Sequence, residues 1–185
     1  FGPADMVLRV WEQLRPTWGE ARDVRANQPL LATAVPPPAG VPVDARVRLA
    51  RFTEVDLVMP AAAAMFTEEI GYPPYWGSRQ VYRQGIESLI RQGHTFVRVD
   101  NGEVVFKADV GSVALGVAQI QGVWVAPRWR GQGLAEPAMA AVVAQVQAEI
   151  AQVVTLYVND FNAPARATYA RVGFTQVGQF ATVLM

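Results

Sequence analysis

Cysteine is absent from this chain and histidine occurs once, at His94. Without cysteine there is no disulfide frame, no thiolate metal site and no thiol nucleophile. A single histidine argues against a metal cluster or a Ser/His/Asp triad. Lysine is nearly absent as well, since Lys107 is the only one among 16 basic residues. The 16 acidic residues cancel that charge to a formal net of zero. No basic surplus therefore exists to recruit nucleic acid or an acidic membrane surface. No apolar run reaches membrane-spanning length, and the opening residues are not expected to be a signal peptide. The resulting expectation is a cytoplasmic protein that uses no metal.

What is present suits a packed domain: 185 residues, 51% of them hydrophobic. The sequence begins at Phe1 rather than methionine, and the expectation is a fragment or processed form with a domain upstream in the same protein. Val7, Val10, Trp11, Leu14 and Trp18 recur at helical spacing, ending near Gly19. A possible strand follows over Asp23 to Leu31, then the stiff run Pro36-Pro37-Pro38-Ala39-Gly40-Val41-Pro42. We place a boundary there. Residues 1–43 have too few apolar side chains to fold alone, and are expected to be the tail of a preceding domain docked against the domain of residues 44–185.

Beyond the boundary, Ala45 to Ala50 alternates as a strand, and helices are expected over Asp56 to Ile70 and Ser78 to Gln92. Strands over Thr95–Val99 and Val104–Val110 flank Asn101-Gly102, a strong hairpin signal. A strand over Ala114 to Val125 precedes a helix with Met139, Val142, Val143, Val146 and Ile150 on one face. Then come a buried strand at Val153–Val158, a short helix at Ala163–Val172 and an end that alternates like a strand pair. The order β-α-α-β-β-β-α-β-α-β is a mixed α/β class.

The chemistry concentrates where the strand ending Val123-Trp124-Val125 breaks at Pro127 and passes through Arg128-Trp129-Arg130-Gly131-Gln132-Gly133-Leu134-Ala135 into a helix. Glycine permits positive φ and close backbone approach, and a helix start offers free N–H groups at the positive end of its dipole. Together they form an anion site, most naturally for a phosphate or pyrophosphate. The Lys-Ser/Thr of a magnesium-nucleotide loop and the dinucleotide glycine spacing are both missing. Arg128 and Arg130 offer charge-assisted contacts to phosphate.

Arg130-x-x-Gly133-x-Ala135 resembles the acyl-CoA signature of the GCN5-related N-acetyltransferase (GNAT) superfamily. A second segment, Leu156-Tyr157-Val158-Asn159-Asp160-Phe161-Asn162, continuing to Tyr169 and Gly173-Phe174, resembles that family's downstream signature. The resemblance covers residues 44–185. It implies a central, mostly antiparallel twisted sheet, splayed at the CoA site and flanked by helices. It implies transfer of an acetyl or short acyl group from acetyl-CoA to an amine, on a small molecule or a protein. The turn Arg130, Gly131, Gln132, Gly133, Leu134 and Ala135 would hold the CoA pyrophosphate, and Val123, Trp124 and Val125 would pair with the pantetheine amides. Asn162 is either an ordinary helix N-cap or a hydrogen-bond partner of the pantetheine arm, and both roles are compatible. Tyr169 is either a core aromatic or the acid that protonates the leaving thiolate, the role that the resemblance favours. Trp124 and Trp129 read first as packing residues.

One position departs from the pattern. Many family members carry a glutamate base on the strand before the turn, where this chain has Gln119 and Gln121. Glu68, Glu69 and Asp109 are the alternative carboxylates, and Gly71-Tyr72-Pro73-Pro74-Tyr75-Trp76 looks like the acceptor-binding loop. The missing glutamate also leaves open a CoA-binding regulatory or structural module with impaired catalysis.

Overall fold

The computed structural model describes all residues Phe1–Met185 and orders eight strands in one sheet, β1-β8-β2-β7-β6-β5-β4-β3. In chain order these are β1 (Gly2–Pro3), β2 (Asp23–Thr33), β3 (Arg48–Leu49), β4 (Thr95–Asp100), β5 (Glu103–Ala114), β6 (Val117–Val125), β7 (Val153–Tyr157) and β8 (Thr175–Leu184). The helices are α1 (Ala4–Trp18), α2 (Val55–Ile70), α3 (Gln80–Arg91), α4 (Ala135–Glu149) and α5 (Ala163–Val172). All strand pairings are antiparallel except β6 with β7.

Helices cover both faces of the sheet, because successive strand residues point to opposite sides. Phe96 joins a core cluster with Met139, Val142, Val143 and Val146 of α4. The next residue, Val97, joins a second cluster with Val58 of α2 and Ile86 and Ile90 of α3. The apolar face expected on the helix after the Arg/Gly turn is therefore the one that α4 buries. Asn101 and Gly102 both have positive φ, 48° and 76°, as a tight two-residue hairpin turn demands. Leu115 and Gly116 (φ 51° and 76°) make a second such turn between β5 and β6. That turn places Ala114 in β5 rather than at the head of the following strand.

Two features of the sheet differ from the reading of the sequence. The end of the chain is one ten-residue strand, β8, not a strand pair. Its neighbour is β2, which lies between β7 and β8 and pairs with both. The expected tail thus sits within the sheet, with Leu31 in the main core cluster. The physical reason is edge satisfaction: β7 and β8 run side by side in sequence but leave a strand-wide gap, and their free N–H and C=O groups find partners on β2. Alternation at the chain end was legible, whereas a partner some 150 residues away in sequence was not.

Candidate active site

The sheet opens between β6 and β7. These parallel strands pair only through Val117↔Val153, Ala118↔Val154 and Gln119↔Thr155. From Ile120 onward β6 stays with β5 alone, through Gln121↔Asp109, Trp124↔Lys107 and Val125↔Phe106. The splay starts with an irregularity in β6 around Gly122, whose φ is +58°. A Cβ there would come within 3.1 Å of Asp109 Oδ2, Lys107 Nζ and Met65 Cε, so both conformation and space call for glycine.

Ala126 donates its N–H to Val105 on β5, while the preceding carbonyl, Val125 O, accepts Arg130 Nε at 2.9 Å. By the alternation of extended backbone, Val125 and Val123 direct their main-chain groups toward the opening and Trp124 directs its own toward β5. Trp124 contributes its indole instead, donating to Glu68 Oε1 at 3.3 Å.

A short 3-10 turn over Pro127–Trp129 leads into the glycine turn. Gly131 and Gly133 both take positive φ (72° and 73°), and nothing lies within 4 Å of a Cβ built on either. No hydrogen bond engages the amides from Gly131 to Glu136. These amides, capped by the start of α4, form an open concave row of donors. Gln132 donates from its side chain to Arg128 O at 2.6 Å, bracing the turn. Leu134 is buried in the core and anchors the far end, next to Ala135 at the head of α4. Arg128 pairs with Glu103. Trp129 is packed against the main core and lies under Arg98, 5.5 Å from the ring centroid, a packing role.

The C-terminal end of α2 lies across the splay. Glu68 bridges Arg130 (2.6 Å) and Trp124 on the β6 side. Glu69 pairs with Arg25 of β2 and accepts from Asn159 Nδ2 at 3.2 Å on the β7 side. Asn159 in turn accepts Gln28 Nε2 at 2.8 Å, and Gln28 accepts Thr182 Oγ1 at 2.6 Å. The amino-terminal strand thus helps to build the wall of the opening. Arg25, Gln28 and Asn159 escaped sequence reasoning because their relation to the site depends on a pairing between chain ends.

Asn162 caps α5, accepting Ala165 N at 3.2 Å through Oδ1. Its Nδ2 donates to nothing in the protein, so capping leaves a donor available. Arg166 bonds Asp160 O rather than reaching toward the turn, and Arg171 ties α5 to Glu136 at the start of α4. Tyr169 is 7% exposed and meets Phe174 edge-on at 5.9 Å. Burial first, and the Glu69 charge second, push its phenol well above the usual tyrosine range. It is therefore fully protonated at neutral pH.

The same shift has a consequence for stability. Burial also raises Tyr157, and raises Tyr82 to about 12. A raised phenol contributes its stability below the unfolded value of about 10 and loses it as pH climbs toward the folded one, because the unfolded chain ionises first. Urea unfolding should therefore give a free energy that falls with pH above about 10, with a shallower fall in Tyr169→Phe. An identical slope in both proteins would show that Tyr169 is not the buried phenol described.

Of the carboxylates that the sequence offered, Glu68 and Glu69 are tied to guanidinium groups at the splay. Asp109 is different. It stands on β5 directly opposite Gln121, pairs with Lys107 through Oδ2 and leaves its buried Oδ1 without a partner.

The architecture coincides with that of known proteins. Residues 62–174 match the Acetyltransferase (GNAT) family, and residues 1–58 match a domain of unknown function, DUF4081. The chain belongs to the GNAT family. Similar solved structures include a GNAT-family acetyltransferase from Colwellia psychrerythraea (TM-score 0.65, 14% identity, covering 93% of this chain and 60% of that one). A GCN5-related N-acetyltransferase from Sphaerobacter thermophilus gives TM-score 0.63 at 22% identity, over 97% of this chain and 56% of that one. A predicted acetyltransferase with acetyl-CoA from Clostridium acetobutylicum gives 0.57 at 14% identity, over 71% of this chain and 90% of that one. The chain spans about three fifths of the length of the first of these relatives. No curated protein matches the sequence. No helix is long and apolar enough to cross a membrane.

Proposed function

We propose that the chain transfers an acetyl or other short acyl group from acyl-CoA directly to an amine, in the splay between β6 and β7. The carrying observation is the open donor row from Gly131 to Glu136 beside an unpaired β6 edge. A pyrophosphate suits that row, since amides at a helix start favour a dianionic group and two glycines leave room for it. Arg130 would shift part of its contact from Glu68 to phosphate, gaining a bidentate partner. The free groups of Val123 and Val125 would take the pantetheine amides as a sheet edge takes a peptide. Asn162 Nδ2 would add a donor while Oδ1 keeps its cap.

Direct transfer needs the thioester and amine held together, and orientation supplies much of the rate. A β6 N–H would polarise the thioester carbonyl. Tyr169 would protonate the departing sulfur. Its raised phenol keeps the proton loaded, so donation has to accompany C–S cleavage rather than precede it. The test is Tyr169→Phe: kcat should fall roughly 100-fold with little change in acetyl-CoA affinity. Unchanged kcat, with chemistry rate-limiting, would remove Tyr169 from the reaction and leave it a core aromatic. The glutamines at 119 and 121 favour the alternative of a non-catalytic CoA-binding module, which predicts tight CoA binding without turnover on any amine.

A further inference from the structure

Under α2 and α3 lies a cavity of about 590 Å³ whose floor is Lys107, Asp109 and Gln121. That volume falls in the range of about 300–1,000 Å³ usual for small-molecule sites. The walls are mostly apolar, with Tyr82 at the centre of an aromatic group, 5.7 Å from Tyr75 and 6.3 Å from Phe66. Lys107 and Asp109 are the only charged residues on its lining, 2% and 5% exposed. Asp109 Oδ1 is buried and accepts from nothing. A buried carboxylate oxygen without a donor is costly, so this spot is built to meet an N–H. The cavity also adjoins the splay, because Gly122 sits against Asp109 and Lys107 and is followed directly by Val123.

Resting on the transferase reading above, we propose that this cavity is the acceptor site. It takes a primary amine carried on an apolar or aromatic body, and Asp109 Oδ1 receives that amine in place of the glutamate absent from the strand of Gln119 and Gln121. The amine enters as an ammonium and passes one proton to Asp109, which releases it to solvent. The neutral nitrogen then attacks the thioester carbon. As the C–N bond forms and the C–S bond breaks, nitrogen passes its second proton to the again-ionised Asp109 while Tyr169 gives its phenol proton to sulfur, leaving amide and free thiol. The tyrosinate then takes back one proton from solvent as Asp109 returns one to solvent. Lys107 assists by its charge. A fixed cation beside the amine disfavours the ammonium form and so favours the nucleophile. The same cation, in an apolar chamber, selects against polyamines.

The test compares 2-phenylethylamine and hexylamine with spermidine as acceptors, alongside calorimetric binding of acetyl-CoA. The apolar amines should show kcat/KM at least tenfold above spermidine. Gly85→Leu probes the chamber without a risk to folding: Gly85 lies on the lining in α3, a Cβ there meets nothing within 4 Å, and leucine is the better helix former. It should raise KM for 2-phenylethylamine at least tenfold while acetyl-CoA affinity stays within twofold. Asp109→Asn should lower kcat/KM about 100-fold, and Asp109→Asn with Gln121→Glu should recover at least a tenth of the loss by returning a carboxylate across the strand pair. Preference for spermidine, or full activity in both Gly85→Leu and Asp109→Asn with acetyl-CoA still bound and turned over, overturns the acceptor assignment alone. Absence of acetyl-CoA binding in the unmodified chain overturns the transferase reading and this assignment with it.

Discussion

Deleting residues 1–43 should yield a chain that does not fold. The deletion removes β2, and with it four cross-strand pairs to β7 and eight to β8. At about 0.5 kcal/mol a pair this is about 6 kcal/mol, comparable with the whole stability of a typical domain, about 5–15 kcal/mol. The loss goes further, since Leu31 leaves the core and Asn159 loses the Gln28 donor that orients it toward Glu69. Two unpaired edges would also face each other across a gap, a template for aggregation. Circular dichroism and size exclusion of the truncated chain check this. A synthetic peptide of residues 21–35 added in trans should restore soluble, structured protein. A truncated chain that melts cooperatively near the full chain's Tm would mean that β2 adds nothing essential to the sheet.

The second large effect concerns the turn. Gly133→Val should weaken acetyl-CoA binding at least 100-fold, about 2.7 kcal/mol. Two causes act together. Valine at φ +73° is strained, and its Cβ projects into open space above the donor row, where a phosphate would lie. Losing two amide–phosphate bonds at about 1.5–3 kcal/mol each is enough for that change. Because a Cβ at Gly133 meets nothing within 4 Å in the free protein, the fold should survive with Tm a few degrees lower. Gly133→Ala should fall between the two. Calorimetry with CoA separates the outcomes, and wild-type affinity in Gly133→Val would exclude this turn as the phosphate site.

Much of the fold was legible because its signals are local. The helical spacing of Met139, Val142, Val143 and Val146 marked the buried face of α4, and Asn101-Gly102 marked its hairpin. The two glycines of the turn announced the positive φ that they adopt. The insertion of β2 between β7 and β8 was hidden, since no local pattern encodes which distant strand fills a gap. Its residues Arg25 and Gln28 were missed at the site for that reason. Asp109 was visible only as one carboxylate among three. Its pairing with the chain's sole lysine, two residues away on the same strand face, was the available clue: in a strand otherwise apolar on both faces, a Lys-x-Asp pair has to be buried together.

We propose direct acyl transfer from CoA to an amine by this chain. It is tested most directly by incubating the protein with acetyl-CoA and a panel of primary amines, following free thiol and N-acetyl product by mass spectrometry in the same samples. Equimolar thiol and acetylamine are expected, both abolished together by Gly133→Val. Bound acetyl-CoA with no acetylamine from any member of the panel would contradict direct transfer.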